Sequence, residues 1–479
     1  MKTLMRGINP TLAISGSYST RPVISNAGKP RTSGRVNEVK WTDQQLQVIE
    51  AVKSCQSVFI TGSAGTGKTK LVEEIVKVLR NIHGEQGVFV TASTGVAACA
   101  LSGQTLHSFA GVGLAEADSG TLLSRVVCGS DKRALNRWMN AKALVIDEIS
   151  MVDGELFDKL EYIARGVMRS KFDASRTDLI WGGIQLVVSG DFFQLPPVSR
   201  LNRRKFAFEA DCWDQTFQFK ASLHSVFRQS DLEYVRMLED IRKGALNSED
   251  EKLLQQRLLA NEDELDNTVV RLFPRNVDVD GVNEKRLHDL GEEIVVYEAF
   301  DKGAEPWKSQ LNQGTALTRL KLCKGARVML TMNMDVNEKL VNGATGTITG
   351  FVNVRKGRKG KVKKICRCDG SLILPRVKFD SGPEVAINPS KWEVCEGNKV
   401  KAKRLQLPLV LAWATSIHKS QGMTLDRLYT DLSKAFGYGM SYVAFSRVRN
   451  LDGLYLSGFN PSSVKAHPKV QAFYKKTFE

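Results

Sequence analysis

Short runs of consecutive apolar residues alternate in the first part of the chain with segments whose apolar residues recur at helical spacing. Ser57–Thr61 is a β-branched and aromatic run, and Lys70–Arg80 has apolar residues on one helical face. The pairing recurs at Val88–Cys99, where a strand pattern turns into a helix of small residues. Two further runs, Ala143–Ile146 and Ile184–Ser189, are typical of strands buried in a parallel sheet. The pattern therefore predicts an α/β domain.

A second set of elements begins beyond Ser199. Apolar spacing predicts a helix over Leu232–Ile241, and a strand near Val269 leads to another helix over Val277–Leu287. These elements predict a second α/β domain. From Arg327 to Ala402 the pattern changes to short alternating strands with glycines between them, which predicts a small inserted β-barrel. The predicted bounds are 41–215 for the first domain, 216–326 and 403–479 for the second domain, and 327–402 for the insertion.

Length and composition agree with a multidomain protein that has a polyanionic partner. A chain of 479 residues is too long for one ordinary domain. The formal net charge of +16 favours nucleic acid as the partner, although a basic surface also serves solubility or membrane binding. No apolar run has the length of about 18 residues that a transmembrane helix needs. The eight cysteines form no C-x-x-C pair, which argues against a disulfide framework or a zinc ribbon and favours a reducing compartment.

Residues 1–40 differ in composition from the rest of the chain. The segment is rich in Ser and Thr and has no acidic residue before Glu38. This composition is typical of an organelle transit peptide, which predicts a mitochondrial or nuclear protein, and it is equally compatible with a disordered basic tail. The six basic residues before Glu38 are Lys2, Arg6, Arg21, Lys29, Arg31 and Arg35.

The strand predicted at Ser57–Thr61 runs into a glycine-rich turn that fits the pattern GxxxxGK[ST]. Glycines allow the backbone N–H groups of such a turn to point at a β-phosphate, and a helix that begins at Lys68 adds its positive end. Lys68 would reach the β- and γ-phosphates, and the Thr69 hydroxyl would coordinate Mg²⁺. A chance match is the alternative, but the strand–loop–helix setting argues against it. The predicted nucleotide-binding residues are Gly62, Ser63, Ala64, Gly65, Thr66, Gly67, Lys68 and Thr69.

Two acidic residues follow the apolar run at Ala143–Ile146. A buried parallel strand exposes its functional groups at its carboxyl end, so Asp147 is placed to hold Mg²⁺ and Glu148 to activate the attacking water. Gln194 follows the next strand and could sense the γ-phosphate, or it could be a turn residue. Gln45, in the helix predicted after Trp41, could bind adenine through its amide, or it could face solvent.

Two arginines beyond the first predicted domain are candidates for γ-phosphate contacts. Arg228 stands in the sequence Val-Phe-Arg-Gln, and Arg447 lies at the end of a predicted helix that begins at Ser441. A guanidinium delivered from a second domain onto a γ-phosphate is the arginine-finger solution. The alternative is an ordinary surface arginine at a helix end, favoured by the helix dipole.

Taken together, these motifs resemble the Pif (petite integration frequency) family of DNA helicases, in the RecD-like branch of helicase superfamily one. The resemblance covers about residues 41–460. The phosphate loop alone indicates only an NTPase, whereas the ordered series is specific to the family. The series is GSAGTGKT at Gly62, TASTGVAA at Thr91, TLHSFAGVG at Thr105, IDEISMVD at Ile146, GGIQLVVSGDFFQLPPV at Gly182, VFRQ at Val226, IHKSQGMTLD at Ile417 and VAFSRVR at Val443.

The resemblance implies two RecA-like P-loop NTPase domains, a wedge insertion at about 111–131 in the first, and an SH3-like β-barrel in the second. It implies an ATP- and Mg²⁺-dependent helicase that translocates 5′ to 3′ on single-stranded DNA and unwinds duplex or structured DNA in genome maintenance. Forked DNA and G-quadruplex DNA are further expected partners, with no membrane, and the chain is expected to be a monomer in solution. The residues implied to lie near the DNA strand are Thr91, Ser93, Thr105, His107 and His418.

The same resemblance assigns roles to the candidate residues named above: Gln45 binds adenine, Gln194 senses the γ-phosphate, and Arg228 and Arg447 act as the two fingers. Three alternatives remain open at this point. The first is a nucleic-acid-binding module without catalysis, although its catalytic residues would then be expected to be damaged. The second is a different P-loop ATPase, which the ordered motifs after Gly182 argue against. The third is a conjugative RecD-like helicase or an RNA-directed one.

Overall fold

The computed structural model describes residues 40–113, 115–129, 132–169, 178–197, 205–259, 265, 269–305, 307–313, 316–332, 334, 335, 338, 340, 343–354, 372–396 and 399–479. Residues 1–39, which carry the predicted transit peptide or tail, lie outside these ranges, as does the basic segment 355–364. None of the helices within the described ranges combines the length and apolarity required to cross a bilayer.

The first half of the chain forms a six-stranded, entirely parallel sheet. Its elements are α1 Asp43–Lys53, β1 Val58–Gly62, α2 Lys68–His83, β2 Val88–Ala92, α3 Gly95–Ala100, β3 Gln104–Thr105, α4 Leu106–Ala110, α5 Ser119–Cys128, α6 Lys132–Asn140, β4 Ala143–Asp147, α7 Gly154–Arg169, β5 Gln185–Ser189, α8 Trp213–Thr216 and β6 Phe219–Leu223. The strand order is β3-β2-β4-β5-β1-β6, and every residue of β1, β4 and β5 is buried. The sheet therefore places the carboxyl ends of β1, β4 and β5 side by side.

The segment predicted as a small insertion, about 111–131, contains the helix α5. Asp118 caps this helix through its side chain, which accepts a hydrogen bond from Thr121 N at 2.9 Å. Leu122 and Val126 are buried in the core of the first domain. The helix is amphipathic over only ten residues, so its packing stabilises it more than its sequence pattern does. The wedge function of this segment stays a prediction.

The second half of the chain builds a second parallel sheet, with antiparallel strands inserted in it. Its elements are α9 Leu232–Arg242, α10 Ser248–Gln255, β7 Val270–Phe273, α11 Asn276–Asp289, β8 Val295–Glu298, β9 Phe300–Gly303, α12 Trp307–Gln310, β10 Arg319–Leu322, β11 Arg327–Leu330, β12 Thr345–Val354, β13 Leu372–Phe379, β14 Glu384–Ala386, β15 Ser390–Glu396, β16 Lys399–Gln406, β17 Leu409–Leu411, β18 Ala414–Ser416, β19 Leu428–Asp431, α13 Met440–Phe445, β20 Leu454–Gly458 and α14 Pro468–Phe478. The parallel sheet has the order β18-β7-β19-β20.

Two parallel sheets flanked by helices confirm the prediction of an α/β protein with RecA-like domains. The helices predicted at Leu232–Ile241 and Val277–Leu287 are present as α9 and α11. One element differs: α13 ends at Phe445, so Arg447 lies in the turn after the helix rather than in its last turn. Arg447 N donates to Ala444 O at 3.1 Å in that turn.

The inserted strands form antiparallel sheets of five, three and two strands, in the orders β14-β13-β12-β11-β17, β15-β16-β9 and β10-β8. They share one apolar core, which includes Val328, Val377 and Leu409. The antiparallel strands extend from Val295 to Leu411, beyond the predicted 327–402. Strand β17 pairs with β11 inside that range, and β9 pairs with β16, which begins inside it. Strand β8 pairs with β10, and both lie before residue 327. Whether this region is an SH3-like barrel stays a prediction.

The C-terminal helix α14 returns to the first domain after the second sheet is complete. Val470 and Tyr474 are buried in the first domain's core, and the Phe473 ring stacks on Phe208 with 4.3 Å between centroids. The Tyr474 hydroxyl accepts a hydrogen bond from Phe192 N at 3.2 Å and contacts Thr61 Oγ1. The chain therefore joins the two sheets twice, once through the segment after β6 and once through α14.

Candidate active site

The phosphate loop connects β1 to α2. Gly62 has φ +143°, and a Cβ there would lie 2.5 Å from Leu223 O of the neighbouring strand β6. Gly67 precedes the first residue of α2 and has φ +80°, a backbone conformation that residues other than glycine rarely adopt. The two glycines that define the sequence pattern therefore stand where backbone geometry requires them, and α2 begins at Lys68 as predicted.

Lys68 is half-buried and turned back toward the loop that carries it. Its Nζ donates to Gly62 O at 2.7 Å and to Ser63 O at 3.0 Å. Burial lowers the pKa of the ammonium group, and the charges of Asp191 and Glu148 oppose that shift. Two carbonyls of the phosphate loop thus hold the ammonium group of Lys68. An anionic ligand would take their place as its hydrogen-bond partner.

The two acidic residues at the end of β4 are adjacent and have different surroundings. Asp147 Oδ1 accepts hydrogen bonds from Ser189 Oγ and from Glu148 N, the latter at 3.0 Å. Burial raises the pKa of Asp147. Burial, followed by the nearby Asp147, raises the pKa of Glu148 to about 7. Glu148 has φ +55°, a left-handed conformation that turns its side chain out of the strand direction at the sheet edge.

The second domain supplies both predicted arginines to the same place. Arg228 Nη1 donates to Ser446 O at 2.8 Å, and burial lowers the pKa of its guanidinium. Arg447 is buried, and burial followed by the neighbouring Arg228 lowers its pKa to about 9. Its guanidinium donates to Val443 O at 2.8 Å and to Met423 O at 3.2 Å. Hydrogen bonds to two carbonyls therefore fix Arg447 within its own domain. The Arg228 guanidinium has to break its bond to Ser446 O to bind a ligand instead.

A cavity of about 360 Å³ lies where these groups meet. Gln194 lines it with its side chain 5% exposed. Among the described residues, no donor lies within hydrogen-bonding distance of Gln194 Oε1. The other lining residues come from both halves of the chain and are Ala64, Gly65, Gly67, Lys68, Thr69, Lys70, Glu148, Phe227, Arg228, Gly422, Thr424, Arg447 and Arg449. The structure thus brings five of the six predicted catalytic residues to one cavity, and Asp147 lies beside Glu148.

Gln45 lies beside the phosphate loop, and its amide has two structural partners. Its Oε1 accepts from Thr42 N at 3.0 Å in a helix-capping box, and its Nε2 donates to Thr66 O at 3.5 Å. The side chain is 3% exposed, so it does not face solvent. A Cβ at Gly67 would lie 3.3 Å from Gln45 Nε2 and 3.4 Å from the Phe227 ring, which places the amide and the aromatic ring beside the loop.

The residues predicted to hold Mg²⁺ fit a hard divalent cation. Thr69 and Asp147 both line a second cavity of about 420 Å³ that adjoins Glu148. A hydroxyl and a carboxylate are oxygen ligands of the kind that Mg²⁺ prefers in phosphate sites. Both hydrogen bonds to Asp147 converge on Oδ1, so Oδ2 is the oxygen suited to a cation or its bound water.

Two of the residues predicted near a DNA strand are held in the sheet. Thr91 is fully buried in β2, and its Oγ1 donates to Val145 O at 2.7 Å. That hydroxyl therefore stabilises the sheet, and the position of Thr91 near a DNA strand stays a prediction. Ser93 is half-buried just beyond the strand, and Ser93 N donates to Asp147 O at 3.2 Å.

The other three lie at or just after the carboxyl ends of β3 and β18. Thr105 caps α4, where its side chain accepts from Ser108 N at 3.3 Å. His107 lies in the first turn of α4, and burial lowers the pKa of its imidazole. His418 is half-buried in the 3₁₀ turn Ile417–Ser420 after β18. Their contacts with DNA stay predictions.

Several residues at the site have no assigned role in the motif analysis. Gln421 Nε2 donates to Glu148 Oε2 at 2.8 Å, and Tyr442 Oη accepts from Ala64 N at 2.7 Å. Asp191 binds Arg242 of the second domain. Asp191 stands at a strand end like Asp147, so its position was visible in the sequence. Its partner was not, because no local spacing relates them.

Comparison with known proteins gives two family matches. A family model described as PIF1-like helicase matches residues 40–252, and one described as the 2B domain of DNA helicase Pif1 matches residues 308–351. A Xenopus laevis protein named ATP-dependent DNA helicase PIF1 is 39% identical over 447 residues, 93% of this chain. A Bdellovibrio bacteriovorus protein named ATP-dependent DNA helicase Pif1 is 33% identical, and the alignment covers 92% of this chain and 93% of that protein.

Solved structures of Pif1 helicases resemble this chain as well. A Pif1 helicase from Candida albicans superposes with a TM-score of 0.80 at 37% identity, over 91% of this chain and 99% of that one. A Bacteroides Pif1 helicase in complex with ADP-AlF3 and single-stranded DNA superposes with a TM-score of 0.73 at 26% identity, over 92% and 99% of the chains. The chain spans 66% of the length of the Xenopus relative and 63% of the length of a human relative that is 38% identical.

Proposed function

Because the chain belongs to the PIF1-like helicase family, we propose that it is an ATP-dependent DNA helicase that translocates 5′ to 3′ on single-stranded DNA and unwinds duplex DNA. One observation carries the proposal: a single cavity is lined by Lys68, Glu148 and Gln194 from the first domain and by Arg228 and Arg447 from the second. A site shared between two domains can convert nucleotide binding and hydrolysis into relative motion.

Each group at the cavity has a role that its position supports. The phosphate loop and Lys68 Nζ bind the β- and γ-phosphates, with the carbonyls of Gly62 and Ser63 released by the lysine. Glu148 accepts the proton of the attacking water, and Gln194 contacts the γ-phosphate from the end of β5. Arg228 reaches the same phosphate from the second domain, and its hydrogen bond to Ser446 O can be exchanged for one to an anion.

We propose Mg²⁺ as the accompanying metal, with Thr69 and Asp147 as the residues that hold it. The ion, when bound, neutralises charge on the β- and γ-phosphate oxygens. Asp147 is supported for this role because Ser189 and the Glu148 backbone orient its carboxylate.

A larger cavity of about 960 Å³ supports a path for the strand. It lies between the second parallel sheet and the antiparallel region, with Thr415 and Lys419 on one side and Arg327 on the other. Lys419 is next to His418, which the motif series places near DNA. Basic and hydroxyl side chains suit phosphate-backbone contacts. The Bacteroides relative, solved with single-stranded DNA, has the same fold over most of both chains.

The test is unwinding of duplexes that carry either a 5′ or a 3′ single-stranded tail, with ATP and without it. The expected result is ATP-dependent separation of the 5′-tailed duplex and little separation of the 3′-tailed one. Equal unwinding from both tails would refute the polarity, and binding without unwinding would favour a non-catalytic module. A 5′ RNA tail of the same sequence separates the DNA helicase from an RNA-directed one.

We extend the proposal to structured DNA, to oligomeric state and to location. A forked duplex and a folded G-quadruplex are added as substrates to the same assay. We propose that the chain is a monomer in solution, and measurement of its molar mass by light scattering with and without DNA tests this. Fusion of residues 1–40 to a fluorescent protein tests a mitochondrial or nuclear location.

A further inference from the structure

Gln421 makes the one side-chain hydrogen bond to the Glu148 carboxylate found in the described part of the chain. Its Nε2 donates to Glu148 Oε2 at 2.8 Å and lies 3.3 Å from Ser150 Oγ. Glu148 belongs to the first domain and Gln421 to the second, so this bond crosses the cleft. Gln421 is 5% exposed, which removes water as a competing partner for its amide.

The turn that carries Gln421 is fixed by its own domain. Ser420 Oγ donates to Ile417 O at 2.9 Å inside the turn. Arg447 Nη1 donates to Met423 O at 3.2 Å and approaches Ser420 O at 3.5 Å, so its guanidinium spans the two ends of the segment 420–423. The segment that carries Gln421 is therefore tied to Arg447 by these hydrogen bonds.

The backbone after Gln421 also fits closely against the carboxylate. Gly422 has φ +83°, and a Cβ there would lie 3.7 Å from Glu148 Oε1. Gln421 bonds Oε2, so Oε1 is the oxygen left to face a substrate water. Gln421 Oε1 is buried, and within the described ranges it has no hydrogen-bond donor in reach, although it borders the cavity that Thr69, Asp147 and Glu148 also line.

We infer that Gln421 is a positioning residue for hydrolysis, which orients the Glu148 carboxylate by a hydrogen bond across the cleft and makes its productive orientation depend on domain closure. The inference rests on the proposed function. When the domains part, the bond breaks and the carboxylate loses its fixed rotamer. The second domain thereby contributes to the proton acceptor as well as to the phosphate contacts. Arg447 acts in the same unit by holding the turn that presents Gln421.

The test uses Gln421→Met, which keeps similar volume and removes both polar atoms, and Gln421→Glu, which keeps the shape and replaces the donor by an oxygen. We expect kcat for DNA-stimulated ATP hydrolysis to fall at least about tenfold in both, while KM for ATP changes less than about threefold. Gln471→Met is the matched control, because this exposed glutamine donates to Lys243 O at 2.9 Å, away from the cavity.

A double-mutant cycle identifies the target of the effect. Gln421→Met is combined with Glu148→Gln, and we expect no further loss of kcat in the double variant because the acceptor of the bond no longer has its function. An equal loss in both backgrounds, a rise in KM without a fall in kcat, or a wild-type rate in Gln421→Met overturns the inference. A wild-type chain without DNA-stimulated hydrolysis overturns the proposed function and this inference together, whereas an active wild type with an equally active Gln421→Met overturns the inference alone.

Discussion

The carboxylate of Asp191 and the guanidinium of Arg242 form a two-pronged ion pair, with Arg242 Nε 3.0 Å from Oδ2 and Nη2 3.0 Å from Oδ1. Asp191 follows β5 of the first domain and Arg242 is the last residue of α9 in the second, and both are buried. Tyr474 of α14 donates to Asp191 Oδ1 at 3.2 Å, and the guanidinium lies 4.6 Å from the centroid of the Phe193 ring. Three separate segments thus meet behind the phosphate loop.

We expect Asp191→Asn to destabilise the protein by about 3–5 kcal/mol, because it removes the buried carboxylate that binds two nitrogens of the Arg242 guanidinium. Asp240→Asn is the control, since its pair with Arg236 is partly exposed at 3.6 Å and should contribute less than about 1 kcal/mol. Urea unfolding followed by circular dichroism gives both values. Equal losses in the free energy of unfolding would show that the buried pair contributes no more stability than the partly exposed one.

The ion pair between Asp191 and Arg242 also predicts that the protein loses stability at acid pH. Burial would raise the pKa of Asp191, but the Arg242 guanidinium outweighs burial and holds the pKa below its usual value. The group therefore stabilises the fold fully above the unfolded pKa of about 3.9 and loses that contribution as pH falls through the folded value. The stability difference between wild type and Asp191→Asn should be constant at neutral pH and shrink below about pH 4. Thermal melts from neutral to acid pH measure it, and a constant difference throughout would contradict the assignment.

Lys68→Ala should reduce ATP turnover by at least about 10²-fold, because it removes the ammonium group that contacts the carbonyls of Gly62 and Ser63 in the phosphate loop. Lys77→Ala on the same helix is the matched control, since Lys77 is exposed and pairs with Glu74. Release of phosphate in the presence of single-stranded DNA is the measurement. Turnover at the wild-type rate in Lys68→Ala would remove the loop from the active site.

Glu148→Gln should retain nucleotide binding and lose hydrolysis by about 10²–10⁴-fold, because an amide cannot accept the proton of the attacking water. Binding of a fluorescent ATP analogue and steady-state hydrolysis are measured on the same preparation. Glu155→Gln, at an exposed position in the first turn of α7, serves as the control. Parallel loss of binding and hydrolysis in Glu148→Gln would assign the residue to nucleotide affinity instead.

Alanine substitutions of Arg228 and Arg447 should differ in their effect on stability, because the two guanidinium groups have different hydrogen-bond partners. Arg228→Ala is expected to slow turnover by about 10³-fold with little change in melting temperature, since it gives up one bond to Ser446 O. Arg447→Ala should slow turnover similarly and also lower the melting temperature, because it removes the buried hydrogen bonds to the carbonyls of Val443 and Met423. Turnover and thermal melts on both variants test this. A change in turnover under about tenfold in either would make that arginine structural only.

Strand and helix positions near the phosphate loop were predictable because each depends on a short stretch of sequence. Consecutive apolar residues predict β1 and β4, which are buried throughout, and helical spacing predicts α2, α9 and α11. Helix α5 was not predicted, since its ten residues are stabilised by packing on the first domain. The same limit applies to Thr91, whose hydroxyl is typical of a phosphate contact by residue type but is buried in the sheet.

The sequence by itself determined the phosphate loop, the two acids after β4 and the order of the motifs, because each is encoded within about a dozen residues by glycine geometry and strand-end placement. Only the tertiary structure decided which groups meet across the cleft. Gln421 and Glu148 are 273 positions apart, and Asp191 and Arg242 are 51 apart. Partners at such separations are chosen by how the two sheets and α14 pack, and no local periodicity records that choice.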